Sequence, residues 1–377
     1  MIDYETIYSW VRDLPIVDWH NHLDLAELAE DKPLGSLYEV WVKADPYKHR
    51  AMRICGEPER AITGDAPEAE KWSAWTRTLP KLVGNPLFVW AKMELEWLGL
   101  DGRDNVSLAD WTPSKLLKKF GVEYCDPGYR MSADDVPDLS AMEDVHARGG
   151  RVLDISVDDV SQLSTYNSQL SIVAAFAAAH GWTMLLHLGA LRETSARLRA
   201  AVGPEGGFAG MRAPVDPAAV AEFLNKLEKM PNCFSRRERK EHKDFAVFAA
   251  ENSLPRTILM SLNPEAHASL AVLAGSFVRE GSAGHVQLGP AWWWCDHEEG
   301  IRDVLEKNAA YGVLSTFVGM TTDSRSLLSF VRHDYFRRVL CQWVAEKVAS
   351  GAFPDDESLL RPMLENICYK NAKGMVS

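Results

Sequence analysis

Seven short apolar runs punctuate this chain, and most are continuous rather than alternating. They are Ile16–His20, Val122–Cys125, Arg151–Ser156, Thr183–Gly189, Thr257–Leu262, His285–Pro290 and Val313–Gly319. An alternating strand covers one face of a sheet. A continuously apolar strand is buried on both faces, as in a parallel sheet wrapped by helices. Helical patterns separate several of the runs, at Ser168–His180, Pro217–Lys229, Pro264–Arg279 and His297–Tyr311. This alternation predicts an α/β fold with a βα repeat and a parallel sheet or barrel. A chain of 377 residues is long enough for one barrel with insertions. Seven strands are one fewer than a full (β/α)8 barrel holds.

The stretch from 25 to 114 breaks the pattern. It is helical, rich in Trp and charge, and has no clear strand, so it reads as a helical insertion after the first strand. Residues 327–377 are helical as well. With no linker, repeat or low-complexity segment, residues 1–377 read as a single domain.

The formal net charge of −12 argues against nonspecific binding to nucleic acid or to an anionic membrane surface. It does not exclude an acidic small molecule gathered by local arginines. The six cysteines, at 55, 125, 233, 295, 341 and 368, form no Cys-x-x-Cys pair and no disulfide framework. The N-terminus lacks a basic region followed by an apolar one, and no apolar run is long enough to span a membrane. A reduced, cytoplasmic setting is expected.

The first chemical feature is Leu14–Leu23, an apolar strand that runs directly into His20-Asn21-His22. Residues i and i+2 of a strand share a face, so both imidazoles point the same way at its C-terminal end. Two such nitrogens suit one divalent metal; the blander reading is a pair of polar loop histidines. The second feature is Phe317–Arg325, where another buried run breaks into polar residues. Asp323 and Arg325 sit two apart, just past a strand end, where barrel enzymes carry their chemistry. Asp323 suits a metal ligand or a base. Arg325 suits a carboxylate, through its planar fork. The competing reading is an N-capping Asp and a surface Arg.

His187, near the end of its strand, reads either as a core histidine or as a site residue. The three adjacent residues Trp292, Trp293 and Trp294 cannot all face one core, so at least one lines a cleft where it can stack on a sugar ring, unless packing alone claims them. The cluster Arg332–Arg338 places Arg332 with Phe336, and His333 with Arg337, on shared helix faces. It begins seven residues after Arg325, so part of it is expected near the site, though such clusters usually face solvent.

At these residues a resemblance emerges. The run FVGMTTDSRSLLSFVRHDYFRR (Phe317–Arg338) resembles the C-terminal signature of the uronate isomerase family, and Leu14–Leu23 resembles its N-terminal counterpart. LYEVWVKADPYKHRAMRICG (Leu37–Gly56), ITGDAPEAEKWSAW (Ile62–Trp75), LVGNPLFVWAKMEL (Leu82–Leu95), the His187 strand and ICYKNAK (Ile367–Lys373) are similar too. The resemblance spans nearly the whole chain and is weakest between Cys125 and Trp182.

This resemblance implies a distorted (β/α)8 TIM-like barrel of the amidohydrolase superfamily. It implies an aldose–ketose isomerase that interconverts glucuronate or galacturonate with the ketouronate, moving a proton between C2 and C1 through an enediol. It further implies one divalent metal, zinc, held by His20 and His22, with Asp323 as a ligand or proton-transfer base. Arg325 would bind the substrate carboxylate, with Tyr47 catalytic and Trp292 or Trp293 lining the sugar site. His187, Arg192 and His333 are expected alongside them at the substrate. The expected partner is a small-molecule sugar acid, and a homo-oligomer stays open.

The sequence also departs from the family. Pro46-Tyr47 stands where the family has His-Tyr, and Cys125-Asp126-Pro127-Gly128 where it has Thr-Asp-Asp-Pro. In Asp154–Asp158 the arginine of a Phe-Arg-Pro-Asp motif reads as replaced by Val157. Gly203-Pro204-Glu205-Gly206-Gly207 replaces a loop that carries an Asp, with Arg212 nearby. The segment of the fourth strand reads as largely missing, so the barrel is expected to lack one strand–helix unit. These departures keep two other readings open: a metal-dependent hydrolase or lactonase acting on a sugar-acid-like substrate, and a noncatalytic, carbohydrate-binding or structural relative.

Overall fold

A computed structural model of the chain describes residues 1–192, 194–204, 206–230 and 254–377; Glu205 and Cys233 lie outside them. In chain order the described strands are β1 (Ile16–Val17), β2 (Val122–Tyr124), β3 (Tyr129–Ser132), β4 (Val152–Val157), β5 (Thr183–Leu188), β6 (Ala190–Leu191), β7 (Gly210–Met211), β8 (Arg256–Ser261) and β9 (Val286–Leu288). A parallel sheet runs β3-β4-β5-β8-β9; β1 pairs with β2 in parallel, and β6 with β7 antiparallel.

Side-chain alternation divides two layers. Val152 of β4, Leu185 of β5 and Ile258 and Met260 of β8 point inward, where they meet Val17, Trp19, Trp292 and Val318. Their neighbours Leu153, Ile155, Met184, Leu186 and Leu259 point outward into a second core shared with the surrounding helices. A period of two gives strands buried on both faces, as their composition requires. Each such side chain stabilises the fold by roughly 1.5–3 kcal/mol. One inner cluster draws on β1, β4, β5, β8 and the segment around Val318, so the sheet curls around it. Ala372 and Met375 of the C-terminal helix also join that cluster.

Two sequence expectations change. β3 lies outside the seven apolar runs, in the stretch where the resemblance is weakest. A four-residue connection, 125–128, joins β2, which pairs with β1, to β3, which pairs with β4 at Tyr129↔Leu153 through Ser132↔Ser156. Gly128, with φ 71°, makes the bend where a Cβ would lie 2.3 Å from the Val152 carbonyl oxygen. Four residues are too few for a crossover between neighbouring parallel strands. Residues 125–128 therefore join β2 to β3 directly, with no crossover helix between them.

The second change is at Val313–Gly319, which is no ladder strand. A 3₁₀ turn at Leu314–Thr316 precedes extended chain. Side chains replace the ladder there: the Val318 N–H donates to Gln287 Oε1 at 3.0 Å. On the other side, Asp323 N–H donates to the His20 carbonyl at 3.2 Å, and His22 N–H to the Ser324 carbonyl at 2.9 Å. These bonds join the end of the chain's last extended segment to its first.

Helices fill the region after β1. Pro46–Ile54, Pro86–Leu98 and Pro113–Phe120 each begin with Pro at the first position, after the capping residues Asp45, Asn85 and Thr112. Proline fits there because its missing N–H would be unpaired anyway. Their apolar faces enclose Trp41, Trp72, Trp75 and Trp90. Among the described residues no helix is long and apolar enough to cross a membrane.

Candidate active site

The inward positions at the C-terminal ends of the strands are polar, and there the ring opens into a cavity of about 350 Å³. His20, His22, Asp154, Ser156, His187 and Asp323 line its floor, and Arg130, Arg192 and Arg325 its walls. Tyr47, Trp292 and Trp293 line it as well.

His20 and His22 follow β1 directly. Both Nε2 atoms converge on one oxygen, Asp323 Oδ1, at 3.0 and 2.9 Å. This two-nitrogen, one-oxygen group is compact enough for a metal ion and has the donor chemistry of sites open to further ligands. The other oxygen, Oδ2, accepts the Trp292 indole N–H at 3.0 Å. Burial pushes the Asp323 pKa up, but hydrogen bonding and charge from His20, with help from His187 and Trp292, hold it below the ordinary carboxylate value. Asp323 has φ 49° and Trp293 φ 52°, two left-handed non-glycine residues facing one cavity. Such strain collects at functional sites.

Asp154 was not foreseen. It lies on β4, 5% exposed, and accepts from His187 Nδ1 at 2.6 Å. Its second oxygen is 3.8 Å from His20 Nδ1. His20, Asp154 and His187 make a second compact group of metal-binding type. His187 Nε2 is buried with no hydrogen-bond partner among the described residues. A carboxylate on Nδ1 orients an imidazole and leaves Nε2 as the reactive nitrogen.

Tyr47 comes from the first turn of Pro46–Ile54, where the Asp45 side chain accepts the Tyr47 N–H at 2.8 Å. Its ring packs edge-on against Trp90 and Trp294, and its buried hydroxyl has no partner among the described residues. Burial raises its pKa, so it stays a protonated donor. Arg192 Nε donates to Asp158 Oδ1 and Nη2 to Ser156 Oγ, both at 2.9 Å, with its guanidinium over Trp293. Arg325 lines the same cavity. Arg130, on β3, lies against His22. An arginine thus enters the cavity from β3, while Val157, where the family motif's arginine reads as replaced, is buried in the outer core.

His333 is a correction. It does not line the cavity; its buried ring donates from Nε2 to Asp18 Oδ1 at 3.1 Å. Closeness to Arg325 in sequence did not carry over, because the helix Val331–Ala349 turns that face under β1. Of the three tryptophans, Trp294 packs against Tyr47 and Arg50 rather than lining the cavity.

The comparisons agree with this geometry. The family model described as glucuronate isomerase matches residues 3–103 and 117–376. The uronate isomerase of Caldicellulosiruptor bescii is 32% identical over 97% of this chain and 94% of its own length. That of Geobacillus thermodenitrificans is 29% identical over 98% and 95%. The crystal structure of uronate isomerase from Thermotoga maritima superposes with a TM-score of 0.77 at 22% identity, covering 100% of this chain and 98% of that one. Glucuronate isomerase from Caulobacter crescentus gives 0.77 at 18% identity, over 99% and 93%. At those identities the structures speak for the fold, which is thus shared across the whole chain. The family match takes in both segments that build the cavity floor, His20–His22 and Asp323–Arg325, and on that match the chain belongs to the glucuronate isomerase family.

Proposed function

We propose that this protein is a cytoplasmic hexuronate isomerase that interconverts an aldohexuronate, glucuronate or galacturonate, with its ketouronate. The observation that carries the reading is the convergence of His20, His22 and Asp323 on the floor of a cavity walled by Arg130, Arg192 and Arg325. A hydrolase of the same superfamily is not favoured, since the family match and the curated relatives all carry isomerase names.

His20, His22 and Asp323 would hold one divalent metal, zinc by donor type. When bound, it supplies a Lewis acid beside the sugar's carbonyl end, where negative charge develops. Arg325 grips the carboxylate of the open-chain sugar with its fork, and Trp293 offers its ring face to the carbon chain. Asp323 takes the proton from C2. The C2–H electrons form the C1–C2 double bond of a cis-enediol, and the former carbonyl oxygen takes up a proton from water. Asp323 then returns its proton to C1 while the C2 hydroxyl gives its proton back to water, so C1 is reduced and C2 oxidised with no external electron carrier. Tyr47, kept protonated by burial, donates to a sugar oxygen. Asp154 holds His187 with Nε2 toward the substrate.

The test incubates metal-replete protein with glucuronate, galacturonate and a panel of sugar lactones, followed by NMR. The reading expects loss of the anomeric signals and growth of a ketone carbon from at least one uronate. Acid release from a lactone with no ketouronate would overturn it.

A further inference from the structure

Asp323 sits in a left-handed conformation that side chains other than glycine avoid, with φ 49°. Such a conformation persists only where the surroundings over-determine it. Here the peptide leading into Asp323 is held at both ends. Its carbonyl, that of Thr322, accepts from Arg332 Nη1 at 2.6 Å. Its N–H donates to the His20 carbonyl at 3.2 Å. The peptide before it is held by Asp18: Oδ1 accepts the Thr322 N–H and Oδ2 the Thr322 hydroxyl, each at 2.7 Å.

Both anchors are fixed from behind. Asp18, fully buried, also accepts from Thr321 Oγ1 at 2.9 Å and from His333 Nε2 at 3.1 Å. Arg332, 3% exposed, places its other terminal nitrogen on Asp296 and its guanidinium 4.3 Å from the Trp90 ring. Neither residue lines the cavity. Hydrogen bonds to ionised groups in a dry interior are the stronger kind. If φ relaxed to its ordinary negative range, the Asp323 side chain would swing away from His20 and His22.

We propose that Asp18 and Arg332 are positioning residues: they hold Asp323 left-handed, with Oδ1 between His20 and His22, and thereby set the affinity of this centre for a divalent cation. The inference rests on Asp323 being a ligand, as argued above. It gives the buried part of the Arg332–Arg338 cluster a task beneath the site rather than in it.

The experiment titrates cobalt(II) into the metal-stripped full chain, reading its visible absorption against a competing chelator. Arg332→Lys and Asp18→Asn are each expected to weaken cobalt binding about 10–100-fold, the usual cost of losing a group that orients a metal ligand, and to change the band intensities. Arg337→Lys is the control. Arg337 is equally buried on the same helix but donates to the Arg12 and Pro15 carbonyls. It is expected to lower the melting temperature and leave cobalt affinity and spectrum unchanged. If either test variant fails to fold, Asp296→Asn, which loosens Arg332 from behind, carries the test with a several-fold weakening expected. Unchanged affinity and spectrum in the folded test variants, or an equal loss in Arg337→Lys, overturns the proposal. Uronate turnover is assayed separately on the unmodified chain, so failure of the isomerase reading shows up there and not in the cobalt series.

Discussion

The indole N–H of Trp292 and the carboxylate of Asp323 meet at 3.0 Å, on the oxygen that faces away from His20 and His22. One carboxylate thus has its two oxygens assigned to different partners. Oδ1 belongs to the histidines and Oδ2 to a neutral donor that cannot compete for a metal.

Trp292→Phe keeps most of the packing and removes that donor. A hydrogen bond to a charged group is worth about 1.5–3 kcal/mol. With part of the loss taken up by water, turnover of the uronate should fall about tenfold, or about 1.4 kcal/mol in barrier. Steady-state kinetics on the folded variant checks this, and an unchanged kcat would contradict it.

Asp154→Asn tests the carboxylate that orients His187. The amide keeps the shape but loses the charge facing His187 and His20. Turnover should drop about 10–100-fold, as for other groups that orient a ligand. Circular dichroism should show the fold retained.

Asp154 also shows what was legible beforehand. His20, His22, Asp323 and Arg325 stood out because apolar runs break into polar residues at them. Asp154 and Ser156 carried a quieter signal, two polar residues at i and i+2 inside a run otherwise apolar on both faces. That spacing puts both on the inner face beside His187. Arg130 was hidden because it lies outside the apolar runs, in the stretch after Cys125 where the resemblance is weakest. The ladder expected at Val313–Gly319 gives way to a 3₁₀ turn at Leu314–Thr316, and the Gln287 side chain takes the Val318 N–H that a neighbouring strand would have bonded. His333 was misplaced because sequence distance fixes neither helix direction nor which face looks inward.

Lys48 is almost fully buried. Its ammonium meets Asp45 Oδ2 at 2.7 Å and Glu94 Oε2 at 3.5 Å and lies over the Trp41 ring. Lys48→Met would leave a buried carboxylate, Glu94, and a partly buried one, Asp45, without their cation. Breaking such a pair costs about 3–5 kcal/mol. Urea unfolding should show a loss of that order, and a change under about 1 kcal/mol would place it with exposed pairs.

His285 provides a pH dependence away from the site. Burial pushes its pKa down to about 4, although the Leu254 carbonyl it donates to works the other way. The unfolded chain takes up this proton near the ordinary value of about 6.5. Between those limits only the unfolded state gains the proton, so stability falls as pH drops from about 6.5 toward 4. Below that window both states are protonated and this contribution levels off. Melting temperatures across the range should show the decline, and His285→Gln should flatten it.

The central claim is tested most directly by uronate turnover measured against divalent metal bound per chain. In the unmodified protein, ketouronate formation should rise from near zero in the stripped chain and saturate at one metal per chain. In a His20→Ala, His22→Ala double variant, both the bound metal and the turnover should be lost while the fold survives. Turnover at the unmodified rate in that variant, or no ketouronate from the unmodified chain at any metal loading, would contradict the account.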